Sequence, residues 1–60
     1  MTKTNELYET MSTLWDEFSE NHRTFAERGN KASGKRARKA VGEVKKLVTT
    51  YRKASVDESK

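Results

Sequence analysis

Residues 27–39 read Glu27-Arg28-Gly29-Asn30-Lys31-Ala32-Ser33-Gly34-Lys35-Arg36-Ala37-Arg38-Lys39, and this stretch decides the fold. Gly29 and Asn30 both tolerate positive φ, so together they form a helix stop and a turn. Immediately after them, Lys35, Arg36, Arg38 and Lys39 place four cations within five residues. The expected bend in the chain and its densest positive charge therefore coincide. Working outward, an aromatic and acidic segment lies before the bend, and an aliphatic and basic one after it.

On the N-terminal side, Leu7, Met11, Leu14, Phe18 and Phe25 recur with steps of four and three, Asn21 filling the remaining place. That is the a/d pattern of a packed helix. Tyr8, Trp15 and His22 add a second stripe beside it, seven residues apart. No Pro or Gly interrupts the segment, and Thr4 or Asn5 is suited to cap it, with Glu6 and Glu9 near its positive end. The first helix is expected from about Thr4 to Arg28. On the C-terminal side, Ala37, Val41, Val44, Val48 and Tyr51 follow the same rhythm, flanked by Ala40, Leu47 and Ala54. The second helix is expected from about Lys31 to Ser55, capped by Asn30 or Ser33, with 56–60 frayed. Gly34, Gly42 and the valines are poor helix formers, so packing must hold this helix.

Helices of roughly 35–40 Å joined by a short turn make antiparallel neighbours. The fold expected is all-α: one domain over residues 1–60, an antiparallel helical hairpin with a turn at 29–30. One long helix running through Gly29 is the rival. Three apolar positions per heptad make a face too wide for a single two-helix seam. Two hairpins are therefore expected to dock as a four-helix bundle. The oligomer interface would be built from Leu7, Tyr8, Met11, Leu14, Trp15, Phe18, Phe25, Val41, Val44, Val48 and Tyr51. Trp15 and Tyr51 fall on the expected inner faces, which argues against their stacking on single-stranded bases.

A chain of 60 residues buries little surface. It is marginal alone without a disulfide, a metal or a partner. It has no Cys and a single His, which removes disulfides, thiolate metal sites and a His-based cage within one chain. Self-association is left as the source of stability. No apolar run is long enough for a membrane span, and no apolar segment follows Met1-Thr-Lys-Thr, so neither a span nor a secretory leader is expected. A cytoplasmic protein is the default.

Charge carries the functional reading. The net charge is +4, but it is unevenly spread. Residues 1–28 hold three cations against six acids, and residues 29–60 hold ten against three, a split of −3 and +7. Such asymmetry points to a polyanionic partner. Arg38-Lys39, Lys45-Lys46 and Arg52-Lys53 are doublets seven residues apart, and Lys31 extends the line backward. On a helix they stack on one side, about 10 Å between doublets. Lys35 and Arg36 widen the band near the turn, and Arg28 stands just before it. A ladder of this kind tracks a phosphate backbone without reading bases. The expected partner is double-stranded DNA, bound without sequence preference. The alternative is a homotypic helical scaffold or adaptor whose ladder meets an acidic protein. A membrane-surface helix is disfavoured, because the Val/Ala face is modest. The acids of the first helix, Glu6, Glu9, Asp16, Glu20 and Glu27, are read as a solvated face or as partners for a neighbour's ladder.

Nothing points to catalysis. His22 has no specific Ser, Asp or Glu constellation around it, and Lys35-Arg36 after Gly34 lacks the Gly-Lys-Ser/Thr ending of a P-loop. No cofactor, metal or small-molecule substrate is expected. Asn21 at a core-like position is read as fixing register between helices.

The block Phe25-Ala26-Glu27-Arg28-Gly29-Asn30-Lys31-Ala32-Ser33-Gly34-Lys35-Arg36-Ala37-Arg38-Lys39 resembles the characteristic block of the chlamydial linker-histone-like nucleoid proteins. The resemblance extends through Leu47-Val48 and Tyr51-Arg52-Lys53 and covers roughly residues 7–55. It is specific at Glu27-Arg28-Gly29-Asn30-Lys31-Ala32 and loose elsewhere. It implies a non-enzymatic DNA-binding protein of the bacterial nucleoid, involved in compaction. The matching basic positions are Arg28, Lys31, Arg36, Arg38, Arg52 and Lys53, while Lys35, Lys39, Lys45 and Lys46 rest on charge alone. The chlamydial proteins continue into a Lys/Ala-rich tail. This sequence instead ends Val56-Asp57-Glu58-Ser59-Lys60, so DNA binding is expected to come from the helical part, or to be weak, or to need oligomers.

Overall fold

The computed structural model describes residues 2–60, so residue 1 of the expected 1–60 unit lies outside the described residues. Two helices, α1 (Lys3–Arg28) and α2 (Lys31–Glu58), pack against each other as a hairpin. The Cα positions span 47 × 17 × 11 Å, a short flat rod.

Gly29 terminates α1 in the left-handed region, at φ 65 and ψ 24, and its N–H donates to the Phe25 carbonyl at 2.8 Å. A side chain at this φ would be strained, which is why the stop falls on glycine. The continuous helix through Gly29 is therefore not formed. Asn30 is extended, and its Oδ1 accepts from the N–H groups of Ala32 and Ser33 at 3.0 and 3.2 Å. One side chain thus satisfies two of the orphan donors at the start of α2.

The outer ends differ from expectation. The cap of α1 is Thr2 rather than Thr4 or Asn5, its hydroxyl accepting from the Asn5 N–H at 3.2 Å. Helix α2 does not fray after Ser55 but continues through Val56 and Asp57 to Glu58. The reason lies across the hairpin. The Glu58 carboxylate accepts from the Thr4 N–H at 3.0 Å and the Thr4 hydroxyl at 2.7 Å. An anion placed at the positive N-terminal end of α1 is favourable, and it ties the last turn of α2 to the first turn of α1.

On α2 the face turned toward α1 is Ser33, Ala37, Ala40, Val44, Leu47 and Ala54, all buried or half-buried. The expected inner stripe of Val41, Val48 and Tyr51 is not the inner one: these three are 38–41% exposed. The large residues of α1 explain the exchange. Leu7, Met11, Leu14 and Phe18 are half-buried in the seam. Bulky groups on one helix need small ones opposite, so α2 turns Ser33, Ala37, Ala40 and Ala54 inward and Val41 and Val48 out. Phe25 shows the principle at the turn, where its ring lies so close to Gly34 that a Cβ there would meet Cδ1 at 2.8 Å.

The consequence is a thin core. The buried side chains among the described residues are those of Ser33, Ala37, Ala40 and Ala54, and no larger side chain is fully buried. Full burial of a Leu, Val or Phe stabilises by about 1.5–3 kcal/mol. Here that gain is only partly realised, because every large apolar residue keeps water contact.

Candidate nucleic-acid interface

Helical geometry turns this sequence into a rod with four distinct long sides. Positions seven apart stay aligned, so each side carries one chemistry along its length.

The outer side of α2 is basic. Arg38-Lys39, Lys45-Lys46 and Arg52-Lys53 lie on the back of the helix, opposite the seam with α1, and all are exposed, as is Lys31. Among these residues one ion pair is formed, Lys46 Nζ to Glu43 at 3.7 Å, with both groups largely in water. An exposed pair of that kind is worth little and does not remove the cation from other use. From Lys31 to Lys53 the ladder runs about 33 Å, close to one turn of B-form DNA at about 34 Å. Lys35 and Gly42 lie on the same back between the doublets. A Cβ at Gly42 would meet nothing within 4 Å, so the surface there is open.

Arg28 and Arg36 are placed differently from the ladder. Arg28 ends α1 near the turn and is exposed. Arg36 reaches toward α1: its Nε donates to Asn21 Oδ1 at 2.9 Å and one terminal nitrogen to Ser33 Oγ at 3.1 Å. Asn21, whose Nδ2 donates to the Glu17 carbonyl at 2.8 Å, is thereby held between the helices. The polar gap in the α1 stripe was the signal for this link, but composition counted Arg36 with the charge band.

The outer side of α1 is acidic, carrying Glu6, Glu9, Asp16, Glu20 and Glu27, all exposed. Its one mid-helix cation, Arg23, donates to both Glu20 oxygens at 2.6 and 2.7 Å. That hydrogen bond, then the charges of Glu20 and Glu27, raise the Arg23 pKa above its ordinary value despite slight desolvation.

The two remaining sides run along the seam. One is polar: Glu17, Asn21, Arg36, Lys39 and Glu43 line a shallow groove there with Leu14 and Ala40. The other is apolar and uncovered. Tyr8, 65% exposed, and Trp15, 53% exposed, lie on it from α1, with Val41 and Val48 from α2. Trp15 and Tyr51 thus stand at the surface of the single hairpin. Phe18 links this side to the seam, its ring 5.0 Å from Trp15 and 5.9 Å from His22, which is itself exposed.

No three His, Cys, Asp or Glu side chains converge as metal ligands among the described residues. Among the same residues, no helix is long and apolar enough to cross a membrane. An all-helical hairpin with one long cationic side defines a small basic helical protein. The histone H1-like protein Hc1 family matches residues 5–60, and the chain belongs to that family. Membership makes it a DNA-binding, nucleoid-associated protein of a family that is not one of enzymes. Comparison with curated proteins and with solved structures returned no match.

Proposed function

We propose that this chain binds double-stranded DNA without sequence preference, contacting phosphates through Lys31, Arg38, Lys39, Lys45, Lys46, Arg52 and Lys53, with Arg28, Lys35 and Arg36 at the turn end. It acts as a dimer or higher oligomer. The observation that carries the reading is the exposed cation row along the back of α2, spaced by whole heptads. Lys and Arg on such a row displace counterions condensed on DNA, and this supplies affinity independent of base order. The row lacks the clustered Asn, Gln and Arg at a helix end that would read base edges.

The uncovered apolar side supports self-association. Tyr8, Trp15, Val41 and Val48 are too contiguous and too exposed for a hairpin this thin to leave in water. The interface is built on this side, from Tyr8, Trp15, Phe25, Val41, Val48 and Tyr51. Behind them, Leu7, Met11, Leu14, Phe18 and Val44 complete their burial. Oligomerisation supplies the stabilisation that one hairpin lacks.

The test is binding to a random-sequence duplex over a range of salt. With about five phosphates neutralised per protomer, log K should fall against log salt with a slope near −4 to −5. A flat salt dependence would reject phosphate contact. Binding confined to an acidic protein would favour an adaptor instead.

A further inference from the structure

Resting on the self-association and DNA contact proposed above, we infer that two copies pack with α1 of each against α2 of the other, so that the dimer holds two separate duplexes at opposite corners. The occupant of the apolar side is thus a second copy, in one of two arrangements that two-fold symmetry allows. In one, each α1 covers the partner's α2. In the other, α1 covers α1 and α2 covers α2.

Size decides between them first. The α1 strip of the apolar side is bulky, with Tyr8 and Trp15; the α2 strip is small, with Val41 and Val48. Large against small interdigitates, whereas large against large on one half leaves a gap on the other. The internal register gives the positions. Thr4 is bonded to Glu58 and Asn21 to Arg36, so Trp15 is level with Val44. A two-fold axis along the rod keeps these levels, and Trp15 enters between Val41 and Val48 of the partner subunit.

Charge decides in the same direction. Pairing like helices would set the +7 segment beside +7 and −3 beside −3. Pairing unlike helices puts Asp16 within one turn of Lys45 of the partner subunit, and Glu9 about level with Arg52 of the partner subunit. Both lie along the rim of the apolar contact. Arg23, the cation on that strip of α1, is already engaged by Glu20.

The doublets then divide their work. Within each, the first residue (Arg38, Lys45, Arg52) leans toward the apolar side and the partner's acidic helix. The second (Lys39, Lys46, Lys53) leans toward the polar side, away from the partner. The outward set of each copy lies diagonally across the bundle from that of the other. One duplex cannot touch both sets, and the dimer bridges two.

The test uses the 60-residue chain carrying Glu9→Lys with Asp16→Lys, or Lys45→Glu with Arg52→Glu, in sedimentation alone and as a mixture. A bead-bound duplex recovering a second, labelled duplex reads bridging. Each variant alone should weaken its dimer about tenfold, as rim pairs become repulsive. The mixture should restore wild-type association, which also shows that both variants fold. Wild type should recover the second duplex, and the Glu9→Lys, Asp16→Lys variant, whose cation row is intact, should lose most of that recovery. A Glu9→Lys, Asp16→Lys dimer as tight as wild type would overturn the arrangement, as would a wild-type dimer that binds one duplex only. A dimer behaving as described that binds no DNA would instead reject the DNA-binding reading and leave the packing intact.

Discussion

Gly42 and Gly34 sit on the same helix and differ in what surrounds them, so replacing each by Ala isolates the packing at the turn. Gly42 is on the back of α2 with nothing within 4 Å of an added Cβ. Gly42→Ala should therefore deliver the full helix-propensity gain, about 1 kcal/mol. In a chain of this size that raises Tm by about 4–8 °C. At Gly34 the same gain is opposed, because the new methyl would lie 2.8 Å from Phe25 Cδ1, 3.0 Å from Cε1 and 3.3 Å from Cγ. These atoms span the ring, so the whole phenyl group must swing away from the seam. Overpacking of this kind costs typically about 1–3 kcal/mol, which cancels or exceeds the gain. The assay is thermal unfolding by far-UV circular dichroism at one fixed protein concentration, since an assembling chain has a concentration-dependent Tm. Gly34→Ala should melt below Gly42→Ala by at least about 4 °C. Equal rises in the two variants would show that Phe25 does not press on α2, and the account of why small residues face α1 would fail.

Other expectations follow from the same contacts. Gly29→Ala forces a side chain into φ 65, and should lower stability by about 1 kcal/mol in the same melts. Glu58→Ala removes both bonds to Thr4 and should cost about 0.5–2 kcal/mol, a typical cap loss, with earlier amide exchange in residues 56–58. Asn21→Leu leaves Arg36 Nε without its acceptor across the hairpin, so Arg36 should become mobile by NMR relaxation while Arg38 does not change.

Much of the hairpin was legible because two local signals agree. Gly29-Asn30 supplies the only positive φ among the described residues and the cap that follows it. The heptad steps on either side then demand two helices of matched length. What the periodicity left open was the rotation of α2. Val41 and Val48 differ from Ala40 and Leu47 by one residue, about 100° around the helix, and each set makes an acceptable stripe. Opposite Leu14, Phe18 and Phe25 the fold turns in the set that carries Ser33, Ala37 and Ala40, with Leu47 half-buried beside them. That choice is tertiary and cannot be read from α2 alone. The end of α2 was hidden for a similar reason. Asp57-Glu58-Ser59 reads as a polar tail until the start of α1 is brought beside it, where Glu58 finds Thr4.

The cation row was legible residue by residue, since a seven-residue repeat survives any choice of rotation by keeping its members aligned. Rotation decided instead which cation the fold retains. Arg36 is drawn to Asn21, while Lys39, Lys46 and Lys53 remain exposed.

The central claim, that the outward row on α2 meets DNA phosphates, is tested most directly by the salt slope of a variant against wild type. In Lys39→Ser, Lys46→Ser, Lys53→Ser, binding to a random-sequence duplex should lose about three counterions, a slope shallower by roughly 2.7. The variant should bind more weakly on every duplex by a similar factor. An unchanged slope in a folded variant would mean that phosphates meet another part of the molecule, and would contradict the account.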